Sequence, residues 1–291
     1  TKNSIGGVLM ELWFTEMHNE YSKFSFKVKE HLCSIKSPFQ QIDVLDTYEY
    51  GKVLVIDGFV MLTEKDEFVY HEMIVHTPMA VNLNAKNVLV IGAGDGGTLR
   101  ELIRYKTIEN IDFVEIDEKV VEVSKKYLPF VNSGFDDHRI NTYFEDGVEF
   151  VKDKKNVYDL IIIDSTDPIG PGEGLFTKEF YSNCYNALTE EGILVNQCES
   201  VYFEGDRREF KRAIEKLKDI FPIATAYQAN IPTYPSGHWL FGYASKKYDP
   251  LKDHKTEEWK KLELKTRYYN ERVHKGAFYL PNYILEVMEE D

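Results

Sequence analysis

The stretch VLVIGAGDGG, residues 88–97, decides the fold class. It opens with a continuous apolar run at 88–91, which is typical of a strand buried on both faces of a parallel sheet. A glycine-rich turn follows, and a helix is predicted at 98–105, so the segment indicates a strand, a tight turn and a helix. Glycines permit this turn and let the backbone approach a ligand closely.

Strands and helices continue to alternate downstream of this segment. Strands are predicted at 111–116, 139–144, 160–163 and 193–197, and helices at 118–127, 176–188 and 207–221. Such alternation predicts a doubly wound, Rossmann-like α/β fold with a mostly parallel sheet, in which ligands bind at the carboxyl ends of the strands. The charged stretch 246–264 is predicted to be helical and to cover an edge of the sheet.

The residues before position 70 follow a different pattern. Apolar and polar residues alternate at 24–29, which suits a half-buried strand. Further short strands are predicted at 41–45, 52–56 and 59–63, and the Asp-Gly pair at 57–58 is a hairpin signal between the last two. These runs predict a small antiparallel β unit.

This change of pattern predicts two domains. Residues 1–70 are expected to form the small N-terminal antiparallel β domain, and residues 71–291 the Rossmann-like domain. A helix predicted at 66–81 follows the last short strand. Residues 1–9 are interpreted as an extension or remnant without functional weight.

The composition excludes some function classes and favours others. The 291 residues include 35 basic and 49 acidic ones, for a formal net charge of −14. This charge argues against a nucleic-acid partner and fits a small cationic one. No apolar run approaches the roughly 18 residues of a membrane span and no leader pattern is seen, so neither a membrane nor a secreted location is expected. The three cysteines include no CxxC pair and are expected to be free thiols. Free thiols are typical of a reducing compartment, so a cytoplasmic location is expected.

The glycine-rich turn predicts a nucleoside-binding pocket. Gly92, Gly94 and Gly96 are spaced differently from the glycines of a dinucleotide motif, and the spacing is more typical of an adenosylmethionine-like ligand in a methyltransferase-type sheet. Asp95 within the turn would repel a pyrophosphate but attract an ammonium group. Glu115 ends the next predicted strand, where it is placed to accept hydrogen bonds from two ribose hydroxyls.

Another acidic strand end is open to two interpretations. Asp146, followed by Gly147, would lie beside the adenine edge in this architecture. The same aspartate could instead cap the next helix. The spacing alone favours neither.

The carboxylates that follow strand 160–163 predict the site of chemistry. Asp164 and Asp167 lie three residues apart at the carboxyl end of a very apolar strand. No histidine or cysteine pattern of a metal site accompanies them. A primary amine has a pKa of about 10.4 and arrives charged, so one carboxylate can anchor an ammonium group while another accepts the proton of the attacking nitrogen. We therefore predict that an amine attacks an adenosylmethionine-like sulfonium.

Several longer motifs resemble those of the spermidine synthase family, the polyamine aminopropyltransferases. The resemblance extends from residue 13 to the carboxyl terminus, and the motifs stand in the order found in the family. In chain order, the matching segments are 50–58, 63–73, 92–97, 115–117, 164–171, 231–237, 268–270 and 274–278.

The resemblance implies a reaction and its partners. The aminopropyl group of decarboxylated S-adenosylmethionine would be transferred to putrescine by in-line displacement, giving spermidine and 5′-methylthioadenosine. The donor is then a co-substrate, and neither a cofactor nor a metal ion is expected. The implied assembly is a homodimer or a homotetramer.

The resemblance also implies roles for individual residues. Asp164 would accept the proton, with Tyr70 and Tyr234 as catalytic partners that orient the amine. The donor would be bound by Gln40, Gly92, Asp95, Glu115, Asp146, Gly147 and Asp164. The acceptor would be bound by Tyr70, His71, Asp95, Asp164, Asp167 and Tyr234. Segment 164–174 resembles a loop that closes over the ligands.

Three other functions remain open at this point. The acceptor could be cadaverine, agmatine or spermidine, because the residues after Glu199 depart from better-known relatives. A diamine N-methyltransferase that uses S-adenosylmethionine would share the scaffold, although Asp95 and Asp164 would repel that donor's carboxylate. A binding protein without turnover is the third alternative.

Overall fold

The computed structural model describes residues 11–165 and 174–290. Within it the chain divides into two compact units, Thr1–Lys65 and Asp66–Asp291. The domain boundary expected at residue 70 falls inside the first helix, α1 (Glu67–Met79). Each unit is built around its own sheet.

The first unit contains five antiparallel strands, each paired with its neighbours in sequence. The strands are β1 (Leu12–Asn19), β2 (Ser22–Lys36), β3 (Gln41–Thr47), β4 (Lys52–Ile56) and β5 (Phe59–Thr63). Buried side chains from β2 to β5 form its core, among them Phe26, Leu45 and Val53. The predictions at 52–56 and 59–63 match β4 and β5 residue for residue.

Strand β1 was not predicted from the sequence. Its one buried position is Glu16, a charged residue that breaks the apolar alternation by which a half-buried strand is recognised. The Glu16 carboxylate accepts a hydrogen bond from the Val60 backbone N–H at 2.7 Å. The pairing that satisfies this buried side chain therefore comes from a distant strand.

The second unit contains a seven-stranded sheet in the order β11-β12-β10-β9-β6-β7-β8. Strands β6 to β10 are parallel, and β12 pairs antiparallel with both β10 and β11. This confirms the predicted Rossmann-like, mostly parallel fold with a small N-terminal antiparallel sheet. The strands are β6 (Asn87–Gly92), β7 (Asn110–Val114), β8 (Ile140–Tyr143), β9 (Tyr158–Asp164), β10 (Leu188–Gln197), β11 (Ile223–Asn230) and β12 (His238–Ser245).

Helices cover both faces of this sheet. After α1 they are α2 (Gly97–Leu102), α3 (Glu118–Tyr127), α4 (Gly147–Val151), α5 (Lys178–Ala187), α6 (Glu204–Ile220), α7 (Thr256–Lys260), α8 (Glu271–Ala277) and α9 (Asn282–Glu289). Strand β9 is continuously apolar because both of its faces are buried. Leu160 and Ile162 join the core on one face, whereas Ile161 and Ile163 join the core on the other.

The helix predicted over 246–264 is wrong for most of its length, since only α7 is helical there. The Asp249 carboxylate accepts hydrogen bonds from the backbone N–H groups of Leu251 and Lys252, and Pro250 follows Asp249 directly. A side chain that binds its own backbone and a proline both favour a turn over a helix. No helix of the described residues is long and apolar enough to cross a membrane.

Candidate active site

The site is built where β6 and β9 end side by side. Gly92 pairs with Asp164 in the ladder, and the Ala93 N–H donates to the Asp164 carbonyl at 2.7 Å. Gly92 has φ +85°, and a Cβ there would lie 2.1 Å from the Asp164 carbonyl oxygen. Only glycine fits this position, which brings the glycine-rich turn against the strand end that carries Asp164.

Both oxygens of the Asp164 carboxylate accept hydrogen bonds. The Tyr70 hydroxyl donates to Oδ1 at 2.7 Å, and the Thr98 hydroxyl donates to Oδ2 at 2.6 Å. Burial raises the pKa of Asp164, and the nearby Asp95 charge raises it further, against the lowering effects of the His71 charge and of the two hydroxyl donors. Burial and the Asp164 charge raise the pKa of Tyr70 well above its ordinary value, so this hydroxyl remains a donor.

The Asp95 carboxylate has different neighbours. Its Oδ1 accepts the backbone N–H of Gly97 at 2.7 Å and lies 3.2 Å from His71 Nε2. Burial opposes its ionisation, but the His71 charge and hydrogen bond lower the pKa of Asp95. Two carboxylates of one pocket are thus driven apart in pKa by their surroundings.

His71 lies between two carboxylates on the inward side of α1. Its Nδ1 is 2.7 Å from Glu67 Oε2, while its other nitrogen faces Asp95. Burial disfavours a charged ring, but Asp95 and Glu67 outweigh it and raise the pKa of His71 to about 10. The His71, Asp95 and Asp164 ligand atoms lie within 4.8 Å of one another. A protonated imidazole has no lone pair to offer, so in this state the two carboxylates are the acceptors that the cluster presents to a cation.

Glu115 lies just beyond the end of β7, in the position predicted for a ribose-binding acid. Its side chain is 8% exposed and its Oε1 accepts the Asp117 N–H at 2.9 Å. A Cβ on Gly94 would lie 2.9 Å from Glu115 Oε2, so this glycine keeps the carboxylate open to the turn. Burial above all, and the Asp117 charge, raise the pKa of Glu115 to about 7.

Asp146 is the N-cap of α4, where its side chain accepts the Val148 N–H at 2.8 Å. The capping interpretation is therefore confirmed, while an adenine contact stays a prediction. Gly147 faces β6, since a Cβ there would lie 2.4 Å from Ile91 Cγ2. Both residues thus lie at the same edge of the sheet as the Gly92 turn.

Aromatic rings surround the Tyr70 side of the site. The Tyr70 and Tyr234 ring centroids are 6.1 Å apart, and the Tyr234 and Trp239 ring centroids are 4.7 Å apart. The loop that holds Tyr234 is tied to α1, because Asp66 accepts both the N–H and the hydroxyl of Thr233. Flat aromatic rings next to half-buried carboxylates suit an aliphatic amine.

Two predicted residues are not brought into this cluster by the described structure. Gln40 belongs to the first unit, where its N–H donates to Ser37 Oγ at 3.0 Å before β3. Asp167 and most of the 164–174 segment lie outside the described residues. Their roles stay predictions.

Sequence reasoning missed three residues of the site, Thr98, Glu67 and Arg100. Arg100 donates to both oxygens of Glu67, at 2.8 and 2.9 Å. Glu67 and His71 are four residues apart on a predicted helix, and this i, i+4 spacing is the one signal that could have found the pair. Thr98 and Arg100 had no such signal, because their partners are remote in sequence.

The fold and site define a class of enzyme, a Rossmann-like transferase with a cluster of acidic side chains at the carboxyl edge of its sheet. Residues 67–255 match the model of the spermine/spermidine synthase domain, and residues 12–64 match that of the spermidine synthase tetramerisation domain. The chain belongs to the spermine/spermidine synthase family, and so to the polyamine aminopropyltransferases. This confirms the family predicted from the sequence.

Relatives and solved structures agree with this assignment. Polyamine aminopropyltransferases of Clostridium botulinum and Alkaliphilus metalliredigens are 62% and 61% identical, over 97% and 96% of this chain and 99% of each relative. A spermidine synthase in complex with the transition-state analogue AdoDATO superposes with a TM-score of 0.93 at 41% identity, covering 95% of this chain and 94% of that one. The spermidine synthase of Thermotoga maritima gives a TM-score of 0.91 with the same identity and coverage.

Proposed function

We propose that this enzyme transfers the aminopropyl group of decarboxylated S-adenosylmethionine to putrescine, giving spermidine and 5′-methylthioadenosine. The observation that carries the proposal is the pair of half-buried carboxylates, Asp95 and Asp164, beside the glycine-rich turn and Glu115. Two acids here favour a donor that ends in an ammonium group and disfavour one that ends in a carboxylate. The relative solved with AdoDATO supports the same reaction.

The mechanism follows from the hydrogen bonds of Asp164. A neutral amine nitrogen attacks the aminopropyl carbon bound to the sulfonium, so a C–N bond forms while the C–S bond breaks and its electron pair stays on sulfur. Asp164 accepts the proton that the nitrogen sheds. Tyr70, held on Asp164, and Tyr234 orient the amine. Since a sulfonium leaves readily, positioning supplies most of the rate acceleration.

The remaining site residues take the roles that the family resemblance implies. Glu115 binds the ribose hydroxyls, and Gly92, Asp146, Gly147 and Gln40 complete the donor site. Asp95 anchors an ammonium group. His71 and Asp167 contribute to binding the acceptor.

The assembly and the setting are part of the same proposal. The match of residues 12–64 to a tetramerisation domain supports a homotetramer or homodimer. Cys33, Cys184 and Cys198 are all free, which supports a reducing cytoplasmic setting. The reaction as written uses the donor as a co-substrate and calls on no cofactor.

A product assay tests the reaction and the acceptor together. The purified protein is incubated with decarboxylated S-adenosylmethionine and, separately, putrescine, cadaverine, agmatine or spermidine, and products are identified by mass. We expect spermidine from putrescine as the main product. Faster turnover of another amine would reassign the acceptor. Methylated product from S-adenosylmethionine, without aminopropyl transfer, would overturn the proposal.

A further inference from the structure

A chain of charged groups ends at the Asp95 carboxylate. Arg100 on α2 holds Glu67 with two hydrogen bonds, and Glu67 in turn faces His71 Nδ1 at 2.7 Å. The other imidazole nitrogen faces Asp95 Oδ1 at 3.2 Å. The charges therefore alternate in sign from Arg100 to Asp95.

The chain is fixed in place by packing. The side chains of His71 and Glu67 are 3% and 5% exposed, and that of Arg100 is 17% exposed. Arg100 also donates to the Phe130 carbonyl at 2.7 Å and to Glu101 at 2.9 Å. A Cβ on Gly97 would lie 2.2 Å from the His71 ring, so α2 closes directly over the imidazole.

We propose that the Glu67–Arg100 ion pair is a positioning device that keeps His71 protonated beside Asp95. Asp95 then stays ionised and anchors an ammonium group, while Asp164 alone takes the proton of the attacking amine. This division of labour rests on the proposed aminopropyl transfer and deepens it. Glu67 and Arg100 act only through His71.

The surroundings of the cluster support this assignment. With His71 charged, the Asp95 carboxylate has a cation and the Gly97 N–H as partners. Among the described residues, the hydrogen-bond donors to Asp164 are the neutral hydroxyls of Tyr70 and Thr98, so Asp164 is the better proton acceptor. Among the described residues, the charged or titratable groups that face this chain of charges and Asp164 are Glu67 and Tyr70 of α1, Asp95 of the turn, Arg100 and Glu101 of α2, Glu115 after β7, Asp164 of β9 and Tyr234.

An NMR titration of the ligand-free enzyme tests the charge on His71. Its imidazole signals are assigned by comparison with His71→Gln. We expect the ring to stay an imidazolium through pH 8.5, and Glu67→Gln to move its midpoint down by at least about one pH unit. A wild-type midpoint near 6.5, or no change in Glu67→Gln, would overturn the proposal.

The pH dependence of kcat/KM for putrescine tests the consequence for catalysis. Loss of the imidazolium charge raises the pKa of the nearby carboxylates, so the acid limb of His71→Gln, which lacks that charge at every pH, should move to higher pH by about one unit, a tenfold loss on that limb. A purely structural defect would lower the whole profile without moving the limb.

Glu101→Gln is the matched control, because Glu101 is a buried α2 acid that contacts Arg100 Nε but not His71. The acid limb of its kcat/KM profile should lie at the same pH as in the wild type. A shift as large as the one expected above would contradict the proposal. If the wild type forms no spermidine, the proposed function fails, and the NMR titration still decides the protonation of His71.

Discussion

At the scale of single residues, Asp95 and Asp164 show how surroundings divide two identical groups. The first has a charged imidazole and a backbone N–H as partners, and the second has two hydroxyls. Ionisation is therefore favoured at Asp95 and opposed at Asp164. One pocket can then hold an ammonium anchor and a proton acceptor at the same pH.

Asp164→Asn tests the proton acceptor. The amide keeps one oxygen for the Tyr70 or Thr98 hydroxyl but cannot take a proton, so kcat should fall at least about 100-fold. Asp159→Asn is the control on the same strand, since that carboxylate binds the N–H groups of Lys86 and Asn87 at the opposite end. The control should keep kcat. Near-native turnover in Asp164→Asn would remove Asp164 from the mechanism.

Glu115 should make donor binding depend on pH. A ribose hydroxyl binds the ionised carboxylate more strongly, and since the pKa of Glu115 is about 7, the donor KM should rise as pH falls below 7. Glu115→Gln should raise the KM about 10-fold or more at pH 8 and abolish the dependence.

Asp117→Asn is the control for this dependence. It removes the neighbouring charge that raises the pKa of Glu115, so the dependence should persist with a lower midpoint. Steady-state kinetics from pH 6 to 8.5 would check both variants. A donor KM of the wild type that does not vary with pH would contradict the role of Glu115.

At the scale of elements, the site depends on how closely α2 packs on α1. Helix α1 is buried at all but one of its positions, with Glu67, His71, Glu72 and His76 turned into the protein rather than outward. Such a helix needs partners for its polar side chains. Glu72, for example, accepts the N–H groups of Arg267, Tyr268 and Tyr269. The element that carries Tyr70 is thus held rigidly.

Gly97→Ala tests this packing. The added Cβ would lie 2.2–2.4 Å from the His71 ring atoms, so the ring or the start of α2 must shift and the contact between His71 and Asp95 is disturbed. We expect about 1–3 kcal/mol of lost stability, together with reduced kcat. Thermal unfolding and turnover are measured on the same sample.

Gly276→Ala in α8 is the matched control for Gly97→Ala. A Cβ at that position meets nothing within 4 Å, so the change should be neutral or stabilise by up to about 1 kcal/mol. Its kcat should equal that of the wild type. Equal losses in the two variants would refute the steric argument.

At the scale of the whole molecule, two buried histidines make the free energy of unfolding depend on pH in opposite directions. His274 binds the Tyr269 hydroxyl and the Pro250 carbonyl, and burial lowers its pKa to about 3. The unfolded chain therefore binds the extra proton below about pH 6.5, and stability is lost as pH falls toward 3. His71, with its pKa raised to about 10, contributes stability fully below 6.5 and loses it as pH rises toward 10.

His274→Gln should reduce the loss of stability in acid. Between pH 7.5 and pH 5 the wild type should lose about 2 kcal/mol of unfolding free energy through His274. Urea unfolding at the two pH values measures it. His138→Gln, which removes an exposed histidine, should leave the loss unchanged. A loss that is equal in wild type and His274→Gln would contradict the assignment.

The sequence by itself determined the fold class and the family, as well as the strand ends that carry Asp164 and Glu115. These are local signals, because an apolar run and the polar residue after it can be read without knowing what packs against them. The sequence pattern wrongly predicted a helix over 246–264, where turns formed by local side chains interrupt it. It also missed β1, because the buried Glu16 breaks the apolar alternation of that strand.

Only the tertiary structure decided which partners each polar group of the site has. Thr98 and Asp164 are 66 residues apart, Arg100 and Glu67 are 33 apart, and Asp66 and Thr233 are 167 apart. No periodicity links such positions. Burial forces these groups to find partners, and the folded sheet decides which ones lie within reach, so the protonation of the site is a property of the tertiary structure.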